Sequence, residues 1–122
     1  MSVITIPGGP GAVSGASGGK VYAYNNISES GAVQVAAANT SRRRITFHNP
    51  GTKDVFVFPA YVQNTGSDVA LSPSTSSLGG CIRVYANGGQ YTIDGECQGV
   101  YKAFVATGDG TTNPLTVIDT NV

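Results

Sequence analysis

Residues 42–48, Arg-Arg-Arg-Ile-Thr-Phe-His, alternate in character with a period of two. As a strand they put Arg43, Ile45 and Phe47 on one face and Arg42, Arg44, Thr46 and His48 on the other, the pattern of a strand buried on one side. Asn49-Pro50-Gly51-Thr52 follows, with proline suited to the second position of a type II turn and glycine to the third, where φ is positive. The next run, Val55-Phe56-Val57-Phe58, is apolar on both faces. One face is therefore expected to meet the core and the other a second layer or another subunit. Strand, turn and strand together predict a β-hairpin.

Further short β-prone runs occupy residues 20–24, 33–36, 69–71, 81–85, 90–93, 100–106 and 115–119. Asn87-Gly88-Gly89 predicts a second hairpin between Ile82-Arg83-Val84-Tyr85 and Tyr91-Thr92-Ile93, and Asp94-Gly95 and Gly108-Asp109-Gly110 mark two more reversals. The alanines of residues 33–39 are the one helical signal, too short and uncapped to change the class. Residues 72–80, with Pro73 and a run of serines, read as an exposed loop. Short strands at this spacing predict an all-β fold, an antiparallel β-sandwich or jelly roll. Ahead of it, residues 1–19 hold a short β-prone run, Val3-Ile4-Thr5-Ile6, and then a glycine- and serine-rich stretch. This segment is expected to be a flexible N-terminal arm, with the sandwich domain over residues 20–122. The arm is either a disordered leader or a segment that orders on a neighbouring subunit.

A chain of 122 residues supports one domain with a modest core. Its 17 glycines and 11% charged residues fit a fold rich in turns. The formal net charge of zero argues against nucleic acid as the partner, because neutralising phosphates needs a surplus of Lys and Arg. No run approaches the roughly 20 apolar residues of a membrane-spanning helix, and no secretory signal opens the chain, so a soluble protein made in the cytosol is expected. Without such a signal, the sequons at Asn26 and Asn39 read as polar loop residues.

The order Ser-Arg-Arg-Arg-Ile-Thr-Phe-His-Asn-Pro-Gly-Thr, then Val-Phe-Val-Phe-Pro, a Ser/Pro loop, Ile82-Arg83-Val84-Tyr85, Gln98-Gly99-Val100-Tyr101-Lys102-Ala103-Phe104 and Leu115-Thr116-Val117-Ile118-Asp119 resembles small virion proteins of tailed bacteriophages. Within that group the chain looks most like the head decoration, or cement, proteins. The resemblance spans residues 39–122, with Arg-x-Ile-x-Phe-x-Asn-Pro-Gly its most specific part. It implies a β-sandwich, a homo-oligomer that is often a trimer, a place on a capsid lattice beside the major capsid protein, and no catalytic residues.

The search for chemistry points the same way. His48 is the only histidine, so a multi-histidine metal centre is excluded and any Ser/His/Asp triad would depend on this one residue. Cys81 and Cys97 form no CxxC pair and are expected as reduced core fillers. The alternative is a disulfide staple, since a hairpin centred on Gly88 would set Cys81 opposite about residue 95. The carboxylates Glu29, Asp54, Asp68, Asp94, Glu96, Asp109 and Asp119 are scattered and read as solvated turn residues, and residues 109–113 lack the spacing of a calcium loop. No cofactor or metal is expected.

The polar feature that remains is Arg42, Arg43, Arg44, either a solvated strand start or a clamp on carboxylates of a capsid protein or sister subunit. The tyrosines suit half-buried strand positions, an interface or a sugar-binding platform. The expectation is a capsid decoration protein on the virion surface, self-associating as a homotrimer, without an enzymatic activity. Its interface residues would be Arg42, Arg43, Arg44, Phe56 and Phe58, with residues 2–19 as the docking arm. The alternative is a tail- or fibre-associated, lectin-like carbohydrate-binding module.

Overall fold

A computed structural model describes residues 18–60, 71–74, 78–95 and 97–121. The expected strand over residues 3–6 and the arm up to residue 17 lie outside these residues, as does most of the run at 69–71. Eight strands follow in order: β1 (Gly18–Ile27), β2 (Val33–Ala36), β3 (Arg42–Asn49), β4 (Val55–Pro59), β5 (Ile82–Val84), β6 (Gly89–Asp94), β7 (Tyr101–Val105) and β8 (Asn113–Asn121). Gly18 and Gly19 therefore belong to the first strand, two residues earlier than the sequence suggests. The alanine-rich segment is strand β2, because Val35 and Ala36 turn into the core and Val33 pairs with Ala103.

All pairings are antiparallel, in two four-stranded sheets of order β1-β8-β3-β6 and β2-β7-β4-β5. The sheets face each other across one core. Ile27, Ile45, Phe47, Leu115 and Val117 come from the first; Val35, Val55, Val57, Val84, Ala103 and Val105 come from the second. Phe47 and Tyr101 meet across the gap with ring centroids 5.6 Å apart. Alternation produces this directly: Leu115 and Val117 are fully buried while Ile118 between them and the strand end stays 36% exposed.

Both expected hairpins are instead corners that carry the chain from one sheet to the other. β3 and β4 do not pair, and neither do β5 and β6. Ile45 and Phe47 on one side of the first corner, and Val55 and Val57 on the other, bury more surface face to face across the core than they could edge to edge. Turn residues announce a reversal without saying whether the chain stays in its sheet. The role of Gly51 changes accordingly. Its φ is not positive. A Cβ there would stand 2.4 Å from Asn113 Oδ1, so glycine is required by close approach. The second corner does use left-handed backbone, at Asn87 (φ 62°) and Gly88 (φ 100°).

The two corners lock together. Asn87 N–H donates to Gly51 O and Gly88 N–H to Asn49 O, both at 2.7 Å. Asn49 is fully buried between them: its Nδ2 donates to Lys53 O at 2.7 Å and Val84 O at 3.0 Å, and its Oδ1 accepts from Gly51 N–H and Asn113 Nδ2. All the capacity of one amide is spent on joining three segments, as a buried polar group requires.

The second apolar face of β4 is covered by the chain itself. Phe56, Phe58 and Phe104 form an outer cluster with Ala60, and Leu71, Leu78, Cys81, Val100 and Ala106 pack against it. Leu71, Leu78 and Cys81, from between β4 and β5, thus cover part of this face as a partial third layer. Cys81 lies in this outer layer and Cys97 in the core between the sheets, with no disulfide between them. The staple fails because residues 81 and 97 are not on neighbouring arms of a hairpin.

Candidate functional site: the arginine strand and the open β1 edge

The three arginines separate into different environments. The register of β3 against β8 shifts between Arg42 and Arg44, so a bulge falls at Arg43. A bulge reverses the face of the residues beyond it. Arg42, which strict alternation would place outward with Arg44, is therefore aimed inward and is 1% exposed; Arg43 and Arg44 remain on the surface.

Arg42 meets Asp119, the next inward position of β8 after Leu115 and Val117. Nε donates to Oδ1 at 2.5 Å and Nη2 to Oδ2 at 3.3 Å. Nη1 donates to the carbonyls of Cys97 (2.8 Å) and Gly99 (2.9 Å), and Nη2 to that of Ala37 (2.7 Å). The five guanidinium N–H groups are all used. Gln98 Nε2 bonds Arg42 O in return, and Asn39 N–H bonds Gln98 O. Arg42 is thus an internal clamp on the loops after β2 and before β7. Asp119, read as a solvated turn carboxylate, is its buried partner.

Arg44 Nε pairs with Asp94 Oδ1 at 2.5 Å across the β3/β6 ladder, with both side chains more than half exposed. Such an exposed pair contributes little to stability. Of the five residues expected at an interface, Phe58 is 1% exposed and Phe56 7%, both beneath the outer layer, and Arg42 is interior. Arg43 and Arg44 are the two of the set that present surface.

Other polar residues fasten loops. Asp54 accepts from Ala86 N–H at 2.8 Å and from Arg83 through Nε and Nη2. Burial alone would raise its pKa, but these hydrogen bonds and the guanidinium charge outweigh it and hold the carboxyl below its ordinary range. Arg83 also lies over the rings of Tyr85 (4.8 Å) and Phe56 (5.7 Å), reaching past the rim of the outer layer. Glu29 grips the turn before β8 by accepting from Gly108 N–H (3.1 Å) and Gly110 N–H (2.9 Å). Among the described residues no three His, Cys, Asp or Glu side chains come together as a metal site, and no helix is long and apolar enough to cross a membrane. His48 lies on the outer face of the first sheet, opposite Gln90 and Thr116.

The least finished surface lies along β1. Among the described residues this ten-residue strand pairs only with β8, and nearly all of it is exposed. Val21 is 68% exposed and Tyr22 39%. Beneath its inward side chains, a cleft of about 290 Å³ opens between the sheets, lined by Tyr22, Tyr24, Gln34, Ala37 and Asn39 and floored by Arg42 and Asp119. Tyr24 OH donates to Val35 O at 3.0 Å, and burial, with Tyr22 and Asp119 nearby, raises its pKa. Tyr85 (61%) and Tyr91 (46%) are exposed elsewhere. Sequence reading missed this cleft, because it arises where β1 outruns the four-residue β2 beneath it.

No protein-family model matches the chain, and comparisons with curated proteins and with solved structures gave no match.

Proposed function

We propose that the chain is a jelly-roll subunit of a tailed-phage virion that decorates the outer surface of the head, binding the major capsid protein as a homotrimer and stabilising the shell by non-covalent contacts. The observation that carries this reading is the strand order. Among the described residues, strands β1, β8, β3 and β6 face β2, β7, β4 and β5, and the chain crosses between sheets from each strand to the next except from β4 to β5, an order that supports a jelly roll. That architecture serves capsid and lectin domains. The resemblance of residues 39–122 to cement proteins supports the capsid member of that pair. Arg43 and Arg44 supply exposed guanidinium groups for carboxylates of a capsid subunit, and residues 2–17 supply an arm that crosses a junction between subunits. Repetition over a symmetric shell turns modest contacts into tight retention. The protein would be made in the host cytoplasm and reside on the virion, with no enzymatic step.

The test is co-sedimentation with empty heads assembled from the major capsid protein encoded in the same genome. The full chain is expected to pellet with the heads. A chain lacking residues 2–17 is expected to stay in the supernatant with an unchanged circular dichroism spectrum. Full binding by the truncated chain removes the arm from the mechanism, and no binding by either chain removes the capsid reading.

A lectin-like module of a tail or fibre is the second reading, favoured by exposed Tyr22, Tyr85 and Tyr91. A glycan array separates the two: selective binding to one sugar class supports the lectin, and a blank array with head binding supports the cement protein.

A further inference from the structure

We propose that the cleft between β1 and β2 is a binding site for one neutral hexopyranose ring. This inference rests on the carbohydrate-binding reading, to which it gives a site and a ligand class.

The floor of the cleft selects the charge of the ligand. Arg42 and Asp119 lie there, 1% and 5% exposed. Every N–H of Arg42 is spent on Asp119 and on the carbonyls of Ala37, Cys97 and Gly99. An incoming anion would find no donor left on the guanidinium and would face the Asp119 carboxylate. A cation fares no better, because the Arg42 charge beside Asp119 leaves the pair neutral as a whole. What the floor still offers is acceptors. Each Asp119 oxygen takes one bond from Arg42, at 2.5 and 3.3 Å, and a carboxylate oxygen can take two. Tyr24 Oη, which gives its proton to Val35 O, keeps its lone pairs as well. An apolar ligand would strip water from these acceptors without replacing it. The fitting group is neutral and brings its own donors, which hydroxyls do.

The walls select the shape. β1 contributes Tyr22 and Tyr24, successive inward positions opposite Val117 and Leu115; β2 and the loop after it contribute Val35, Ala37 and Ala38. A pyranose has a face of C–H groups and a rim of hydroxyls. The C–H face can lie against an aromatic ring, whose π-face is negative, while the rim turns to polar groups. Such groups stand around the cleft uncommitted: among the described residues neither the Tyr22 hydroxyl nor the amide of exposed Gln34 makes a hydrogen bond. Asn39, in contrast, is held by Asn121 and Ser41. The volume of about 290 Å³ lies at the lower end of the roughly 300–1,000 Å³ usual for small-molecule sites, room for a single ring. A glycan would therefore be bound by a terminal sugar.

Titration of the isotope-labelled full chain with free glucose, galactose, mannose and N-acetylglucosamine, followed by backbone-amide NMR, tests this. One small ring held by a few hydrogen bonds should bind with a Kd of order 1 mM. For at least one sugar, shifts are expected to centre on Tyr22, Tyr24, Gln34 and residues 37–39. Tyr22→Ala and Gln34→Ala should each raise that Kd about tenfold, with the amides of Val57 and Phe104 unmoved. Shifts centred on Tyr85 or Tyr91, or a Kd unchanged in both variants, would overturn the cleft as the site while leaving the carbohydrate reading in place. A glycan array on the same chain separates the remaining failures. Selective binding there with no shift in the titration overturns the hexopyranose site alone, and a blank in both overturns the carbohydrate reading with it.

Discussion

Replacing Arg42 with Met should be among the most damaging single changes in the chain, although sequence would class the residue as one of three surface arginines. Methionine fills much of the volume but leaves the Asp119 carboxylate, 5% exposed, without its cation. Removing one partner of a buried ion pair costs about 3–5 kcal/mol. The carbonyls of Ala37, Cys97 and Gly99 lose their donors as well, and each buried acceptor left unsatisfied adds about 1 kcal/mol where water cannot replace the guanidinium. A total above about 4 kcal/mol is a large share of the roughly 5–15 kcal/mol that holds a typical domain. Urea unfolding followed by far-ultraviolet circular dichroism reads it as a midpoint lower by about 2 M or more, taking about 2 kcal/mol per M for the slope. The double variant Arg42→Met/Asp119→Leu should recover part of the loss, because it removes the stranded charge while leaving the carbonyls unpaired. A fall below about 1 kcal/mol for Arg42→Met is the value for an exposed pair and would refute the internal clamp.

Four further outcomes follow from the geometry. Gly51→Ala should destabilise by about 1–3 kcal/mol, through collision with the Asn113 amide and not through backbone strain, so adding Asn113→Ala should relieve it; an undiminished loss in the double variant on urea titration would contradict this. Asn49→Asp should cost more than about 2 kcal/mol, because it sets a carboxylate oxygen against the carbonyls of Lys53 and Val84 in place of a donor; equal urea midpoints for variant and parent would count against it. Asp54 has a folded pKa below its unfolded value, so its contribution is present above the unfolded pKa and is lost as pH falls through the folded one. Asp54→Asn should therefore be less stable than the parent at neutral pH and converge with it well below about pH 4, and a gap independent of pH would rule out the carboxylate's role. Cys81, half-buried with its thiol pKa raised by burial, should react with an aromatic disulfide reagent before the fully buried Cys97, which should wait for unfolding; simultaneous reaction of both in the native protein would disagree.

Strand content was legible because alternation and turn residues are local signals, and residues 45–48, 55–58 and 115–119 lie in strands, although β1 and β8 run two or more residues past the expected ends. Pairing was not legible. Asn49-Pro50-Gly51 and Asn87-Gly88-Gly89 read as hairpin turns, yet each carries the chain to the opposite sheet, and the difference lies in what the flanking strands bury, which only the assembled core decides. The apolar second face of β4 did announce an additional layer, supplied here by the chain's own Leu71, Leu78 and Cys81. Arg42 was misplaced because a one-residue bulge at Arg43 reverses its face and leaves no trace in composition. A signal for it existed in β8: Leu115, Val117 and Asp119 share one face, and an aspartate in line with two core residues calls for a buried cation. The β1 edge and its cleft depend on the relative lengths of two strands in different sheets, β1 and β2, and no single segment encodes that.

The central claim, a self-associating subunit of a symmetric shell, is tested most directly by the native mass of the purified protein, measured by light scattering behind a sizing column at two concentrations. A mass of about three times the 12.4 kDa of one chain is expected at both. A single-chain mass at both would contradict the preassembled trimer and leave the carbohydrate-binding module as the stronger reading.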